Sequence, residues 1–68
     1  MTRVKSSMIK QVFYKPDTFS MRVQFHNGSI YQYENVGKGT YEQLIQADSV
    51  GKFFHAQVKG RYDWKRVK

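Results

Sequence analysis

The dipeptide Asn27-Gly28 constrains the fold of this chain more than any other feature. Asn-Gly is the strongest short-range signal for a β-hairpin, because both residues tolerate the positive φ angles of a tight turn. Residues 19–26, before it, alternate between apolar and polar side chains, and residues 29–36, after it, are rich in residues that favour strands. This pattern predicts two antiparallel strands of a sheet that has one covered face and one face in water.

The length of the turn decides where the rings of Tyr31 and Tyr33 point, because successive residues of a strand lie on opposite faces. A two-residue type I′ loop over residues 27–28 would pair Tyr31 with Gln24 and expose both rings on the polar face. A three-residue loop over residues 26–28, with Gly28 left-handed, would pair Tyr31 with Val23. Both rings would then lie on the apolar face.

Burial favours the three-residue loop, although Asn-Gly locally favours the shorter one. In the register of the two-residue loop, the core face would present Gln32 and Glu34, and an unpaired buried carboxylate is costly. A chain of 68 residues also needs its large rings in the core. We therefore expect Tyr31 and Tyr33 to be walls of the core, with the two-residue loop as the open alternative.

The periodicity of the whole chain predicts an α+β domain. Three strands, residues 9–14, 19–25 and 29–36, form an antiparallel meander, with a turn at Lys15-Pro16-Asp17. One or two short helices, over residues 41–47 and 50–59, follow and pack on one face. The basic C-terminal segment is a candidate for an extra strand. Residues 1–7 are predicted to form a basic N-terminal arm, and residues 8–68 a single domain.

Local signals set the predicted ends of the helices. Thr40 and Gln43 match a capping box at the start of the first helix. Ser49 is placed to cap the second helix, and Gly60 is placed to end it. Because Asp48 interrupts the apolar stripe, the sequence leaves open whether there are two helices or one kinked helix.

Apolar periodicity also predicts the core. Simple alternation puts Ile9 and Phe13 on one face of the first strand, and Val12 and Tyr14 on the other. In the remaining elements, the side chains expected to be buried together are those of Phe19, Met21, Val23, Phe25, Leu44, Ile45, Val50, Phe53, Phe54 and Val58.

The composition limits the classes of function. The chain has no Cys, which excludes disulfides and thiolate zinc sites. Its 12 Lys and Arg against 5 Asp and Glu give a net charge of +7, which attracts polyanions. No apolar run reaches the roughly 20 residues of a membrane helix, and the N-terminus lacks the apolar stretch of a signal peptide. We expect a cytoplasmic monomer or weak homodimer with no membrane partner, no cofactor and no small-molecule substrate.

The sequence contains three groups of residues: Phe25-x-Asn27-Gly28-x-x-Tyr31-x-Tyr33-x-x-Val36, Tyr41-x-x-Leu44-x-x-Ala47-x-Ser49-x-Gly51-x-Phe53-Phe54 and Val58-x-x-x-Tyr62. Together they resemble the KTSC domain, a family named for the C-terminus of some lysyl-tRNA synthetases that also occurs as small stand-alone proteins of bacteria and phages. The resemblance covers about residues 9–67. Gly37 departs from the family, which often has Pro after the Val, and this loosens the predicted helix entry.

The resemblance implies a small sheet with helical packing. It also suggests RNA binding, and it brings no catalytic residues that could be carried over to this sequence. The Tyr-x-Tyr centre is a common pattern by itself, and the Ala-x-Ser-x-Gly-x-Phe-Phe segment makes the combination more specific.

The C-terminal segment is the predicted site for RNA or single-stranded nucleic acid, in preference to duplex DNA. Cations neutralise phosphates, and aromatic rings stack on unpaired bases at roughly 1–3 kcal/mol per base. The alternative is that the rings of Tyr62 and Trp64 pack on the sheet while the cations are solvated. The candidate binding residues are Lys59, Arg61, Tyr62, Trp64, Lys65, Arg66 and Lys68, together with Arg22.

A second functional prediction is a protein–protein adaptor or inhibitor, such as a phage-encoded one, that docks on an acidic partner surface. Electrostatic steering would speed such an association. A three-stranded sheet also has free edges to which a partner strand can add.

We expect the domain to be non-catalytic and to hold no metal. Its two histidines, His26 and His55, come without further metal-ligand spacing. Ser49, Asp48 and His55 can be written as a triad, but Ser49 has a simpler explanation as a helix cap.

Overall fold

A computed structural model describes residues 2–4 and 6–68 of the chain. The strands form one antiparallel sheet in the order β1-β2-β3-β4-β5. The described elements, in chain order, are β1 Thr2–Arg3, β2 Ile9–Lys15, β3 Ser20–Phe25, β4 Ile30–Tyr33, α1 Lys38–Gln46, α2 Val50–Phe53, a π-helical segment Phe54–Val58, and β5 Trp64–Arg66. No helix in this described part has the length and apolar character that crossing a membrane requires.

The α+β class is confirmed, and the three predicted strands correspond to β2, β3 and β4. The sheet is wider than predicted because a short strand is added at each edge. Thr2–Arg3, within the predicted N-terminal arm, pairs with β2, and Trp64–Arg66, in the C-terminal segment, pairs with β4. Met1 and Lys5 of the predicted arm lie outside the described residues.

The hairpin has the three-residue loop. Val23 pairs with Tyr31, and Met21 pairs with Tyr33. The N–H of Phe25 donates to the carbonyl oxygen of Ser29 at 2.9 Å, which closes the loop over residues 26–28. Gly28 has a φ of 94°, the left-handed conformation that this loop requires of its last residue.

A β-bulge in β2 corrects the predicted faces of the first strand. The register shifts between Ile9 and Gln11, so Lys10 is an extra residue without a cross-strand partner. Ile9 therefore joins Val12 in the core, and both are completely buried. Phe13 lies on the opposite face and is 38% exposed. Alternation without the bulge wrongly put Ile9 and Phe13 together.

The core lies between the helices and one face of the sheet. Most of its predicted members are buried, and Phe25, Ile45 and Phe53 are partly buried and pack against it. The buried core consists of Ile9, Val12, Met21, Val23, Tyr33, Val36, Leu44, Val50, Phe54 and Val58.

Phe19 is the predicted core residue that the structure contradicts. Its side chain is 54% exposed, and its φ of 54° lies in the left-handed region. The turn between β2 and β3 extends through Phe19, so the strand begins at Ser20 instead. The carbonyl oxygen of Phe19 accepts the N–H of Val36 at 2.8 Å, and this bond ties the turn to the segment after β4.

The helix ends agree with the sequence at Ser49 and Gly60 and differ at Thr40. Helix α1 begins at Lys38 after Gly37 and has no side-chain cap, so the predicted capping box is wrong. The hydroxyl of Ser49 accepts the N–H of Lys52 at 3.3 Å, as a cap of α2 does. Gly60 follows the π-helical segment with a φ of 81°. Two separate helices, rather than one kinked helix, are thus present.

Candidate nucleic-acid interface

Strand β5 holds the centre of the predicted binding segment at the edge of the sheet. Trp64 pairs with Tyr33, Lys65 with Gln32, and Arg66 with Tyr31. The pairing continues past the strand, where the N–H of Val67 donates to the carbonyl oxygen of Ile30 at 2.7 Å. Side chains of paired residues share a face, so β5 directs Trp64 and Arg66 to the helix-covered side and Lys65 to the other side.

The indole of Trp64 stacks on the ring of Tyr31. Their centroids are 5.3 Å apart and their planes differ by 12°. Trp64 is nevertheless 56% exposed, because it lies on the edge strand beyond the cover of the helices. We call this ring pair, Tyr31 and Trp64, the edge platform.

Edge-to-face contacts connect the edge platform to the core. Tyr31 contacts Phe25 with centroids 5.6 Å apart, and Phe25 contacts the buried ring of Phe54 at the same distance. Phe54 in turn contacts Tyr33, again at 5.6 Å. Each such pair contributes roughly 0.5–1.5 kcal/mol beyond the area it buries. The exposed indole is therefore held in place by a continuous series of rings.

Tyr33 lies at the buried end of that series. Its side chain is 3% exposed, whereas Tyr31 is only half-buried. Burial, with a smaller contribution from the neighbouring charge of ionised Tyr31, raises the pKa of Tyr33 from 10.0 to about 12. The neutral phenol of Tyr33 is thus strongly preferred in the folded protein.

Arg66 supplies a cation beside the edge platform. It pairs with Tyr31 across the strands and lies on the same face. Its guanidinium donates from Nε to the carbonyl oxygen of Lys68 at 3.1 Å and from Nη2 to the hydroxyl of Ser29 at 3.4 Å. These bonds hold an exposed positive charge next to an exposed ring.

The outer face of the sheet, which lies opposite the helices, carries two other predicted residues. A row of paired residues crosses this face through Phe13, Arg22, Gln32 and Lys65. The Nε of Arg22 donates to Oε1 of Gln32 at 2.7 Å. Arg22 and Lys65 therefore belong to one surface, and Trp64 and Arg66 belong to another.

The turn after the π-helical segment carries the remaining candidates. Arg61 donates from Nε to the carbonyl oxygen of Ala56 at 3.1 Å, and Lys59 is exposed. Tyr62 is half-buried and packs against the core. Its hydroxyl lies 3.3 Å from Oγ1 of Thr40. Tyr62 thus has the packing role that the sequence left open as an alternative.

Comparison with known proteins assigns the family. The profile of the KTSC domain matches residues 5–62. The chain belongs to the KTSC domain family. Its fold is also that of a crystallised KTSC domain protein from Yersinia pestis, with a TM-score of 0.92, 31% sequence identity, and coverage of 98% of this chain and 94% of that protein.

Two kinds of KTSC relative are similar to this chain. A lysine–tRNA ligase of Nostoc sp. is 35% identical over 93% of this chain, and the match covers 11% of the ligase. The chain thus spans about a tenth of the length of such ligases. An uncharacterised protein of Stutzerimonas stutzeri is 30% identical over 87% of this chain and 83% of its own length. The domain therefore occurs both within a tRNA ligase and as most of a small protein.

Within this KTSC domain, the eight predicted site residues are divided among three surfaces. These surfaces are the edge platform side with Trp64, Arg66 and Lys68, the outer face with Arg22 and Lys65, and the turn with Lys59, Arg61 and Tyr62. The sequence favours a core position for Tyr31, with the exposed register as the alternative, and Phe13 is not among the predicted site residues. Because Tyr31 stacks on Trp64 and Phe13 pairs with Arg22, both rings lie next to predicted cations or rings.

The two histidines of the KTSC domain line different depressions, and the depression of His26 also includes Tyr31 of the edge platform. His26 bonds through Nε2 to the carbonyl oxygen of Ser6 at 2.8 Å. His55, Asp48 and Ser49 line an open groove of about 730 Å³ beside α2. In the described part of the chain, no three His, Asp or Glu side chains converge as metal ligands would.

Proposed function

We propose that this KTSC domain is a non-catalytic module that binds RNA or another single-stranded nucleic acid through its C-terminal strand. The exposure of Trp64 carries the proposal. A Trp that is 56% exposed, yet ordered by stacking and by strand pairing, offers a flat surface without further loss of conformational freedom. Unpaired bases stack on such rings whatever their sequence.

The charge around the edge platform supports the same function. Arg66 lies on the platform face, and Lys68 follows it at the same edge of the sheet. A strand that stacks one base on Trp64 would bring its neighbouring phosphates close to these cations. The net charge of +7 on 68 residues adds long-range attraction for a polyanion.

The relatives give RNA preference over other polyanions. The ligases that contain a segment similar to this chain are named for tRNA. A module that sits within a tRNA ligase is well placed to contact that RNA. This chain spans a small part of those ligases. RNA as its ligand is therefore proposed from that similarity together with the chemistry of β5.

Binding titrations at several salt concentrations test the proposal. Fluorescence anisotropy with labelled single-stranded RNA, tRNA and duplex DNA should show the weakest binding for duplex DNA. The logarithm of the association constant should fall linearly with the logarithm of the salt concentration, because each neutralised phosphate releases a counterion. No binding to either RNA at low salt would refute the function.

A matched pair of double variants locates the contact. Arg66→Ala with Lys68→Ala removes two positive charges at the edge platform. Lys10→Ala with Lys52→Ala removes the same charge from exposed sites outside the C-terminal segment. The first variant should lose affinity and reduce the salt slope by about 2, roughly one per phosphate contact. Equal losses in both variants would mean that net charge alone attracts the RNA.

The free edge of the sheet favours a second function, docking on an acidic protein. Strand β5 pairs only with β4 among the described strands, so its other side is open to a partner strand. A pull-down from the native host tests this function. Recovery of one stoichiometric protein that still binds after nuclease treatment would support it, and enrichment of no protein would count against it.

A further inference from the structure

The outer face of the sheet is an uncovered surface with two adjoining depressions. The first has a volume of about 230 Å³ and is lined by Gln11, Phe13, Arg22, Gln24 and Ile30. The second has a volume of about 340 Å³, and Phe13 and Arg22 line it as well. Together they reach the size range of small-ligand sites, about 300–1,000 Å³. Phe13 and Arg22 form the boundary that both depressions share.

The first depression combines an aromatic ring with a polar amide pair. Phe13 is 38% exposed, and Ile30 is half-buried beside it. Gln11 and Gln24 pair across the strands, and Nε2 of Gln11 donates to Oε1 of Gln24. This bond leaves Oε1 of Gln11 as an acceptor and the N–H groups of Gln24 as donors, a combination that matches the donor–acceptor edge of a nucleobase.

The second depression is cationic. Lys15, Arg22 and Lys65 line it, and its one carboxylate is that of Glu34. Both oxygens of Glu34 already accept hydrogen bonds, at 3.3 Å from Oγ of Ser20 and at 2.5 Å from Nε2 of Gln32. Three exposed cations against one engaged carboxylate leave this depression suited to an anion.

We propose that the outer face holds one unpaired nucleotide of the bound RNA, with its base against Phe13 in the first depression and its phosphate between Arg22 and Lys65 in the second. The inference rests on the proposed function and extends it, since the RNA that stacks on the edge platform would continue around β5 to this face. The row from Phe13 to Lys65 crosses four strands, or about 14 Å at the usual strand spacing.

Charge argues against a second copy of this chain as the occupant. Two outer faces in contact would bring Lys15, Arg22 and Lys65 of one copy towards the same residues of the other, and like charges at an interface are destabilising. An acidic peptide would satisfy the cations, and its backbone could pair with the amides, but it offers a flat ring to Phe13 only where its sequence includes an aromatic residue. The nucleotide satisfies the ring, the amides and the cations together.

Titration of the ¹⁵N- and ¹³C-labelled protein with adenosine 5′-monophosphate tests the site directly. The side-chain amide resonances of Gln11 and Gln24 and the ring resonances of Phe13 should shift in a saturable way. In parallel, Phe13→Ala should weaken binding of a labelled oligouridine roughly 5- to 150-fold, the effect of losing one stacked base. Phe19→Ala, which removes another exposed ring outside both depressions, should leave the affinity unchanged.

The outcomes separate this inference from the proposed function. In one outcome, oligouridine binds and Trp64→Ala weakens that binding, but Phe13→Ala has no effect and the monophosphate shifts no outer-face resonance. The inference is then wrong, and the proposed function stands. If no RNA binds, the proposed function is wrong. Shifts caused by the monophosphate would then mark a separate nucleotide site, which contradicts the inference that one RNA runs from the edge platform around β5 to the outer face. If polyglutamate shifts the same resonances and the monophosphate does not, the face binds protein. Unchanged thermal midpoints of Phe13→Ala and Phe19→Ala establish that both variants are folded.

Discussion

Tyr33 and Tyr31 lie two residues apart on the same face of β4, and the two ends of this short strand behave differently. Tyr33 is 3% exposed, contacts the buried ring of Phe54, and has a pKa raised to about 12. Tyr31 is half-buried and stacks on the exposed indole of Trp64. One end of the strand belongs to the core, and the other end supports a surface.

The difference shows that the face of a strand does not fix the role of a side chain. Pairing puts Met21 opposite Tyr33 and Val23 opposite Tyr31, so both rings have an apolar neighbour. The cover of the helices extends over Tyr33 and only part of Tyr31. The same Tyr-x-Tyr pattern therefore provides stability at one position and a support for recognition at the other.

Truncation of the two tyrosines gives the largest expected contrast. Tyr33→Ala should lower the free energy of unfolding by about 3–5 kcal/mol, because it leaves a cavity in the core. Tyr31→Ala should lower it by less than half as much, since the ring is half in water. Urea denaturation of both variants measures the difference. Equal losses would mean that the helices cover both ends of β4 alike.

Alkaline pH should destabilise the protein through Tyr33. The pKa of Tyr33 is about 12 in the folded protein and 10.0 in the unfolded chain, so the fold favours the neutral phenol. The stabilisation is therefore complete below pH 10 and is lost as the pH rises from 10 to about 12. The loss amounts to roughly 3 kcal/mol at most. Tyr33→Phe lacks this ionisation, so its stability should fall less over the same range. Parallel curves for the two proteins would show that Tyr33 ionises as freely as an exposed tyrosine.

Tyr31→Ala should affect RNA binding as well as stability. The loss of its stacking and edge-to-face contacts leaves Trp64 without its support. We expect a several-fold weaker association with single-stranded RNA in anisotropy titrations. Tyr33→Phe is the control, because it keeps the buried ring and should bind RNA as the parent does.

Removal of a single cation should give the smallest effect. Arg66→Ala should reduce the slope of log association constant against log salt by about 1, while Lys10→Ala, on β2, should not. Anisotropy titrations over a range of salt concentrations provide both slopes. Identical slopes for the two variants would separate Arg66 from the RNA contact.

The sequence was most informative where a residue type has a specific physical cost or backbone role. Asn27-Gly28 located the turn, and the cost of burying Glu34 selected the register that the structure has. Ser49 and Gly60 marked helix ends because each has a specific backbone role. These features depend on local chemistry, which a single sequence displays.

Features that depend on exceptions to regular pairing were not predictable. The extra residue Lys10 reverses the faces of β2, and no composition signal distinguishes it from regular alternation. Phe19 looked like a strand residue, but its left-handed backbone places it in the turn. The predicted binding residues lie on different surfaces for a related reason. Strand β5 directs Trp64 and Lys65 to opposite faces of the sheet, and the sequence did not decide whether this segment forms a strand.

RNA binding through the edge platform is tested most directly by the RNA affinity of Trp64→Ala together with its thermal midpoint. The indole is exposed and lies at the edge, so its removal should leave the fold largely intact. Binding of single-stranded RNA should fall by roughly 5- to 150-fold, the value of one stacked base. If a folded Trp64→Ala variant keeps the RNA affinity of the parent protein, RNA does not bind through the edge platform.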